Sequence, residues 1–257
     1  MDGQRPEEQE DGRRRAPFRR LSSDRRREEI ITAAVEVFGS HPEDAVSIDA
    51  IAQAAGTSRS SLYRYFDSRG EIYGAAVHRV GNELIHRLRT VPPGAPSARL
   101  SAQISIYFDF LERFEVGYAA LLGRGERPSA PEAGFEAAQH VRDQICVMTC
   151  ETLEVRDPSP LMATTVRSWI AAVEWAGTEW LRTREPSRRE VEWLVCGHIA
   201  VMLIGASPLD PTVAERVAWL VEVEPVDSMF GHLIRGIAGT VDKRTLANLA
   251  RFLSYEP

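Results

Sequence analysis

Apolar side chains recur at helical spacing along almost the whole chain, and no stretch sustains the alternation of a half-buried strand. Ile30, Ile31, Ala33, Ala34, Val37 and Phe38 form one stripe on a long helix over residues 24 to 39. Ile48, Ile51, Ala52 and Ala55 then give one face of a short helix. Ser47 is its N-cap, and Asp49 falls in its first turn, where a carboxylate meets the positive helix end. Gly56 follows directly, where a residue tolerant of positive φ ends one helix and turns sharply. Thr57 or Ser58 caps a second helix running from Arg59 to Phe66, with Leu62 and Phe66 facing inward. Ser68 and Glu71 have capping-box spacing and open a further helix carrying Ile72, Tyr73, Ala76 and Val80.

The pattern stays helical beyond residue 80. Pro92, Pro93, Gly94 and Pro96 break the chain, and Ser97 precedes a helix through about Glu115 with Ile104, Tyr107, Phe108, Leu111 and Phe114 on its apolar side. A short segment from Tyr118 to Leu122 leads into the turn-rich stretch GRGERPSAPEAG. Residues 134–154, 159–183 and 187–206 read as three more helices, the last opened by a capping box at Ser187 and Glu190. Pro208 and Pro211 break the chain again before AERVAWLVEV, FGHLIRGIAG and KRTLANLARFLSY, which read as three short amphipathic helices.

The pair of helices over residues 47 to 66 carries chemistry as well as shape. Its second member is basic, hydroxylated and aromatic, and Arg59, Ser60, Ser61, Tyr63, Arg64 and Tyr65 lie off the inward face. Arginine reads guanine edges bidentately, while hydroxyls and tyrosines mostly reach phosphates. A helix–turn–helix outline also occurs in plain helical bundles, so the flanks decide. The run RREEIITAAVEVF, followed by SIDAIAQAAGTSRSSLYRYFDSRGEIYGAAV, resembles the N-terminal domain of the TetR family of bacterial transcriptional regulators over residues 24 to 80.

That resemblance implies an all-α fold: an N-terminal three-helix helix–turn–helix DNA-binding domain plus a larger helical ligand-binding and dimerisation domain. The expected division is a disordered Arg-rich arm over 1–23, the DNA-binding domain over 24–76, the ligand-binding and dimerisation domain over 77–206, and a helical extension over 207–257. It implies a homodimer on a double-stranded DNA operator, most simply a repressor released by a small-molecule effector. The family's DNA contacts map onto Ser47, Arg59, Ser60, Ser61, Tyr63, Arg64, Tyr65 and Arg69, with Ser47 and Tyr63 anchoring phosphates. Two positions depart from the family pattern. Ser60-Ser61 replaces a common small pair, often glycine-threonine, and Gly70 follows Arg69 where it loosens the start of the fourth helix.

The resemblance also places an effector pocket among Tyr107, Phe108, Leu111, Phe114, Tyr118, Leu122, Ile145, Met148 and Trp169, with Phe110 and Phe135 beside them. Candidate polar anchors are Arg124, His140, Asp143 and Glu174. An aromatic stripe at helical spacing is more often plain core than pocket. For the dimer, the family packs two helical hairpins into a four-helix bundle. Here the seam maps onto Ala171, Trp175, Thr178, Glu179, Val195, His198, Ile199 and Met202. The extension past residue 206 reads as a thicker ligand domain, a pocket lid or a partner surface. A protein partner docked there is the alternative to small-molecule control, and activation the alternative to repression.

The charge distribution limits how the chain grips DNA. The net charge is −6, yet residues 12 to 27 hold eight arginines against one aspartate, a net of +7. Residues 28 to 76 hold three arginines against eight acids, a net of −5. The arm RRRAPFRRLSSDRRR, interrupted by Pro17, therefore either neutralises phosphates and enters a minor groove or serves as a disordered solubilising tail. Deleting residues 1 to 22 separates the two through the salt dependence of DNA affinity. No apolar run reads as a membrane span, and the three cysteines fit a reducing cytoplasm. Cys146 and Cys150 share a helix face near His140, a spacing open to metal or redox chemistry but more usual for buried apolar residues. The sequence holds no cofactor motif and no catalytic set of the nucleophile–base or paired-acid kind, which argues against an enzyme.

Overall fold

The computed structural model describes residues 16–41, 45–114 and 132–233. Those residues are helical, with no strand among them. In chain order the helices are α1 (Ala16–Ser40), α2 (Ile48–Ala54), α3 (Arg59–Leu62), α4 (Arg69–Arg89), α5 (Pro96–Arg113), α6 (Glu132–Thr152), α7 (Pro160–Thr183), α8 (Arg188–Ala206) and α9 (Pro211–Val223). Residues 1–15, the pocket candidates Tyr118, Leu122 and Arg124, and residues 234–257 lie outside the described residues.

α1 begins at Ala16, inside the stretch expected to be a disordered arm. Pro17 falls in the first helical turn, where its missing N–H forfeits no intrahelical bond and its fixed φ suits the helix. The proline therefore starts the helix rather than interrupting an arm. At the other junction, Ser68 Oγ accepts from the Glu71 amide at 3.1 Å, and the Glu71 carboxylate accepts from the Asp67 amide at 2.7 Å. The box closes one residue early, but it ties the start of α4 on both sides in spite of Gly70. The box opening α8 is complete, with Ser187 and Glu190 exchanging both bonds.

α1, α2 and α3 enclose a small core of Ile30, Phe38, Ile51, Leu62 and Phe66, all at most 1% exposed. α4 leaves this unit and runs along α6, its most extensive neighbour. Glycines make that approach possible. A Cβ on Gly81 would stand 2.2 Å from Val141 Cγ2, and one on Gly74 would stand 2.9 Å from Ala133 Cβ and 3.0 Å from its carbonyl oxygen. On the facing helix, a Cβ on Gly134 would collide with the Tyr73 ring at 2.2 Å. Contacts this short leave no room for a methyl group, so the two backbones sit as one unit.

α8 is long and apolar enough to cross a membrane by length and composition alone, contrary to the expectation that no run is. Within this fold Val191, Val195, Ile199 and Leu203 are buried against α5, α7 and α9, which is the composition of a central bundle helix. Arg188 pins its N-terminus to α5, donating to Asp109 at 2.7 Å, Glu112 at 2.8 Å and the Ser105 carbonyl at 2.9 Å.

The described part of the C-terminal extension is tied into the same body. Asp210 caps α9, accepting from the Thr212 amide at 2.8 Å, and also accepts the Ser159 hydroxyl at the cap of α7. These bonds, the Ser159 hydroxyl foremost, hold the Asp210 carboxyl below its ordinary range. At the far end of α9, the buried Glu224 carboxylate accepts both the Ser97 amide and the Ser97 hydroxyl at 2.6 Å. It thus satisfies orphan donors at the N-terminus of α5 from 127 residues away. Glu224→Ala leaves those donors buried and unpaired, a loss of roughly 3 kcal/mol. A fall of about 6–12 °C in thermal midpoint is expected, whereas Glu222→Ala, exposed on the same helix, leaves the midpoint in place. Equal midpoints for the two variants would contradict this anchoring role.

Candidate nucleic-acid interface and the cavity behind it

The reading surface is built by capping and by two buried anchors. Ser47 Oγ accepts from the Ala50 amide at 3.0 Å and starts α2. Gly56 has φ of +58°, the left-handed conformation that ends α2 and reverses the chain. Ser58, rather than Thr57, caps α3 by accepting from the Ser61 amide at 3.2 Å. Regular helix stops at Leu62, short of the expected Phe66. Arg64 and Tyr65 continue it with tighter bonds to Ser61 and Leu62 carbonyls, because the chain must swing into the α4 cap at Ser68. Leu62 and Phe66 are buried, and they hold this short element where propensity alone would not.

Of the residues assigned to DNA, Ser47, Arg59, Ser60, Tyr63 and Arg64 are exposed, while Ser61, Tyr65 and Arg69 are half-buried. The Arg64 guanidinium has no ion pair or hydrogen bond among the described residues. Arg59 lies 3.6 Å from Asp49 on α2, an exposed pair worth little that a phosphate or base can displace. Ser60 and Ser58 hydroxyls are 3.0 Å apart. Arg69 sits differently: its Nε donates to the Val46 carbonyl at 3.0 Å, and its guanidinium stands 5.9 Å from the Phe38 ring centre. It braces the base of α4 against the chain entering α2.

Two arginines that sequence reasoning assigned to a basic arm are fastened to this unit instead. Arg26 donates to the Gly56 carbonyl at 3.3 Å, holding the sharp turn from α1. Arg27 stacks over the Phe66 ring at 4.7 Å and lies 3.9 Å from Glu71. Their sequence signal was the position, on the first turns of the apolar stripe, rather than the charge.

Behind this surface α4, α5, α6 and α7 line a cavity of about 60 Å³. Leu84 and Leu88 come from α4, Ile104 and Tyr107 from α5, Val141, Ile145 and Met148 from α6, and Trp169, Ile170 and Val173 from α7. The polar groups on the wall are Gln103, Arg142, Thr149 and Glu174. Arg142 Nε donates to both Glu174 oxygens, at 2.9 and 3.2 Å. Tyr107, Ile145, Met148, Trp169 and Glu174 thus meet at one cavity.

Several pocket assignments fall elsewhere. Phe108, Leu111 and Phe114 are buried in core away from the cavity, Phe108 against Trp180 and Phe114 against Phe110. Phe135 is exposed. Asp143 pairs with Arg167 at 3.3 Å across the α6–α7 surface. His140 points outward, stacked on His78 with ring centres 5.7 Å apart, because it lies about 200° round α6 from Ala138 on the cavity wall. Burial pushes the Cys146 thiol up, and burial with the neighbouring Cys146 pushes Cys150 up to about 12, so neither is a reactive thiolate. Among the described residues no three His, Cys, Asp or Glu side chains gather to hold a metal ion.

On the α7–α8 hairpin, Trp175 and Thr178 are exposed, and Ala171, Glu179, His198 and Met202 are half-buried. Val195 and Ile199 are fully buried in the chain's own core, and the Val195 carbonyl accepts the Trp169 indole at 2.7 Å. The exposed apolar side chains of α8 are Trp193, Leu194 and Val201 instead. The apolar stripe of α8 is wide enough that its phase could not be set from sequence.

Comparison with known proteins decides the family. Residues 30–76 match the model for bacterial regulatory proteins of the tetR family, and residues 96–202 match a tetracyclin repressor-like C-terminal domain. A tetR-family transcriptional regulator from Streptomyces coelicolor superimposes with a TM-score of 0.75 at 31% identity, covering 84% of this chain and 98% of that one. The chain belongs to the TetR family of bacterial transcriptional regulators. It is also 33% identical over 142 residues to the HTH-type transcriptional activator FasR of Mycolicibacterium smegmatis, covering 54% of this chain and 63% of that protein. An uncharacterized HTH-type regulator of Mycobacterium tuberculosis matches 37% over 89 residues, or 41% of its length. A TetR regulator from Rhodococcus, at 18% identity and a TM-score of 0.57, shares the fold.

As in any TetR-family regulator, the helix–turn–helix is the part that meets DNA. Tyr63→Ala and Arg64→Ala are each expected to weaken DNA binding by about five- to 150-fold, roughly 1–3 kcal/mol. Fluorescence anisotropy with a selected DNA site, alongside circular dichroism, measures this. Wild-type affinity in both variants would refute the assigned surface.

Proposed function

We propose that this TetR-family regulator works as a homodimer whose grip on a pseudo-palindromic operator is set by a small, mainly apolar effector in the core cavity. The observation that carries this reading is the shared helix. α4 starts at the Ser68 cap beneath the reading surface and, farther along, supplies Leu84 and Leu88 to the cavity wall. A cavity of about 60 Å³ is well below the roughly 300–1,000 Å³ of a drug-sized site. A molecule of that size therefore has to displace the wall, and displacing α4 changes the spacing of paired recognition helices. Differential affinity of about 1–3 kcal/mol between the two forms suffices for control.

The dimer reading rests on Trp175, Trp193, Leu194 and Val201, exposed apolar side chains along the outside of the α7–α8 hairpin. Two-fold symmetry would then match two half-sites about one DNA turn apart. The likeness to a relative named a transcriptional activator supports a second reading, in which the operator-bound form raises transcription. The mainly apolar lining of this cavity favours small-molecule control over a protein partner on the extension. A regulator of this kind acts beside the DNA, in the bacterial cytoplasm.

Selection of bound DNA from a random pool is expected to return inverted half-sites with centres one helical turn apart. A screen of apolar compounds for release of that DNA is expected to find molecules that raise its dissociation constant at least about fivefold. Recovery of a single unpaired half-site would contradict the dimer reading. In vitro transcription from the selected site distinguishes repression from activation by the sign of the change.

A further inference from the structure

Arg59 and Arg64 belong to the same reading surface but stand in opposite electrostatic situations. The Arg64 guanidinium is unpaired among the described residues. Arg59 is flanked on two sides. Its Nη1 lies 3.6 Å from Asp49 Oδ2 on α2, and its guanidinium carbon stands 5.9 Å from the centre of the Tyr63 ring. Both members of the ion pair are open to solvent, with the Arg59 side chain 60% and the Asp49 side chain 69% exposed. Such a pair adds little to stability. A carboxylate exposed on a surface that meets DNA also costs affinity, because it repels phosphates. Asp49 does meet the positive end of α2 from its first turn, a stabilising role that leaves base preference untouched.

The pair changes what Arg59 can bind. Arg59 is the first residue of α3, and the opening residues of a recognition helix are the ones that meet base edges. A phosphate approaching Arg59 brings a second anion against Asp49, so that two anions share one cation. A guanine edge carries no charge. Its O6 and N7 take two N–H groups of the five that a guanidinium offers, and Asp49 can keep its place while the base is read. The Tyr63 ring attracts the same guanidinium from a second direction and narrows its range of orientations. We infer that Asp49 is a positioning residue that turns Arg59 from a phosphate contact into a reader of guanine. It gives up affinity for DNA in general and gains discrimination at one base pair. The inference rests on α3 being part of the reading surface, which Arg64→Ala tests separately.

The test starts from DNA selected out of a random pool by the full-length wild type. Fluorescence anisotropy then follows wild type, Asp49→Ala and Arg59→Ala on the selected site, on the same site with each guanine replaced in turn, and on a scrambled duplex. Wild type is expected to lose about five- to 150-fold in affinity when one particular guanine is replaced. Arg59→Ala is expected to be indifferent to that replacement. Asp49→Ala keeps the arginine, yet is expected to lose most of the discrimination at the same position. It is also expected to bind scrambled DNA more tightly than wild type, with a salt dependence steeper by about one charge. Asp49→Asn keeps the outline of the side chain without its charge, and is expected to behave in the same way should Asp49→Ala fold poorly by circular dichroism. If Asp49 only steadies α2, its variants weaken the selected and scrambled duplexes alike and keep the guanine preference, which would overturn the inference. A guanine preference unchanged in Arg59→Ala would overturn it as well. Wild-type binding of every duplex by both Arg59→Ala and Arg64→Ala would overturn the reading surface itself.

Discussion

The contact between α4 and α6 at Gly74, Gly81 and Gly134 is the constraint on which the rest of the molecule depends. Helices normally pack about 8–10 Å apart with side chains between them. Here Val141, Ala133 and Tyr73 occupy the space that a Cβ would need. Such a contact has no slack, so a displacement of α6 is felt by α4 directly. Both helices also wall the cavity, α6 through Val141 and Ile145 and α4 through Leu84 and Leu88. Towards its N-terminus α4 is fixed to the DNA-binding unit by Ser68, Glu71 and the Arg69 bond to Val46. The path from cavity to reading surface is therefore one rigid helix and one tight seam.

The electrostatics of the reading surface are sparse for a protein that meets DNA. Arg26 and Arg27 are turned to structure, one on the Gly56 carbonyl and the other over Phe66. Arg25 and Arg26 also share Glu29, whose carboxyl the Arg26 guanidinium foremost holds below its ordinary value against the opposing effect of desolvation. Arg59 and Arg64 remain on α3 and the turn that follows it, with Arg59 near Asp49. Among the described side chains, so few charges free to face phosphates make the grip of this surface depend on geometry, because the salt-dependent attraction scales with the number of charges engaged. Small changes in the position of α3 then matter more than they would on a densely basic surface.

Most of the fold was legible because its helices carry clean apolar stripes and punctuating caps. Ser47, Gly56, Ser58, Ser68 and Ser187 each do what their position implied. What escaped was phase and partner. Val195 and Ile199 face inward while Trp193, Leu194 and Val201 face out, a distinction of one or two positions on a helix apolar nearly all round. His140 was grouped with cavity residues that lie on the opposite side of α6. Gly74 and Gly81 look like weak helix formers until Ala133 and Val141 are seen across the seam, since close approach is a property of two helices. Glu224 could not be paired with Ser97 from sequence, as nothing local links residues so far apart.

The central claim is that the tight seam sets the position of the reading surface. It is tested most directly by the operator affinity of Gly81→Ala, alone and combined with Val141→Ala, measured by fluorescence anisotropy on the folded proteins. Neither position faces DNA. The account predicts a loss of about tenfold in Gly81→Ala, as expected for couplings of 1–3 kcal/mol, and a return to within about twofold in the double variant, where the missing methyl groups of Val141 restore the space. Wild-type affinity in Gly81→Ala, or no recovery in the double variant, would contradict it.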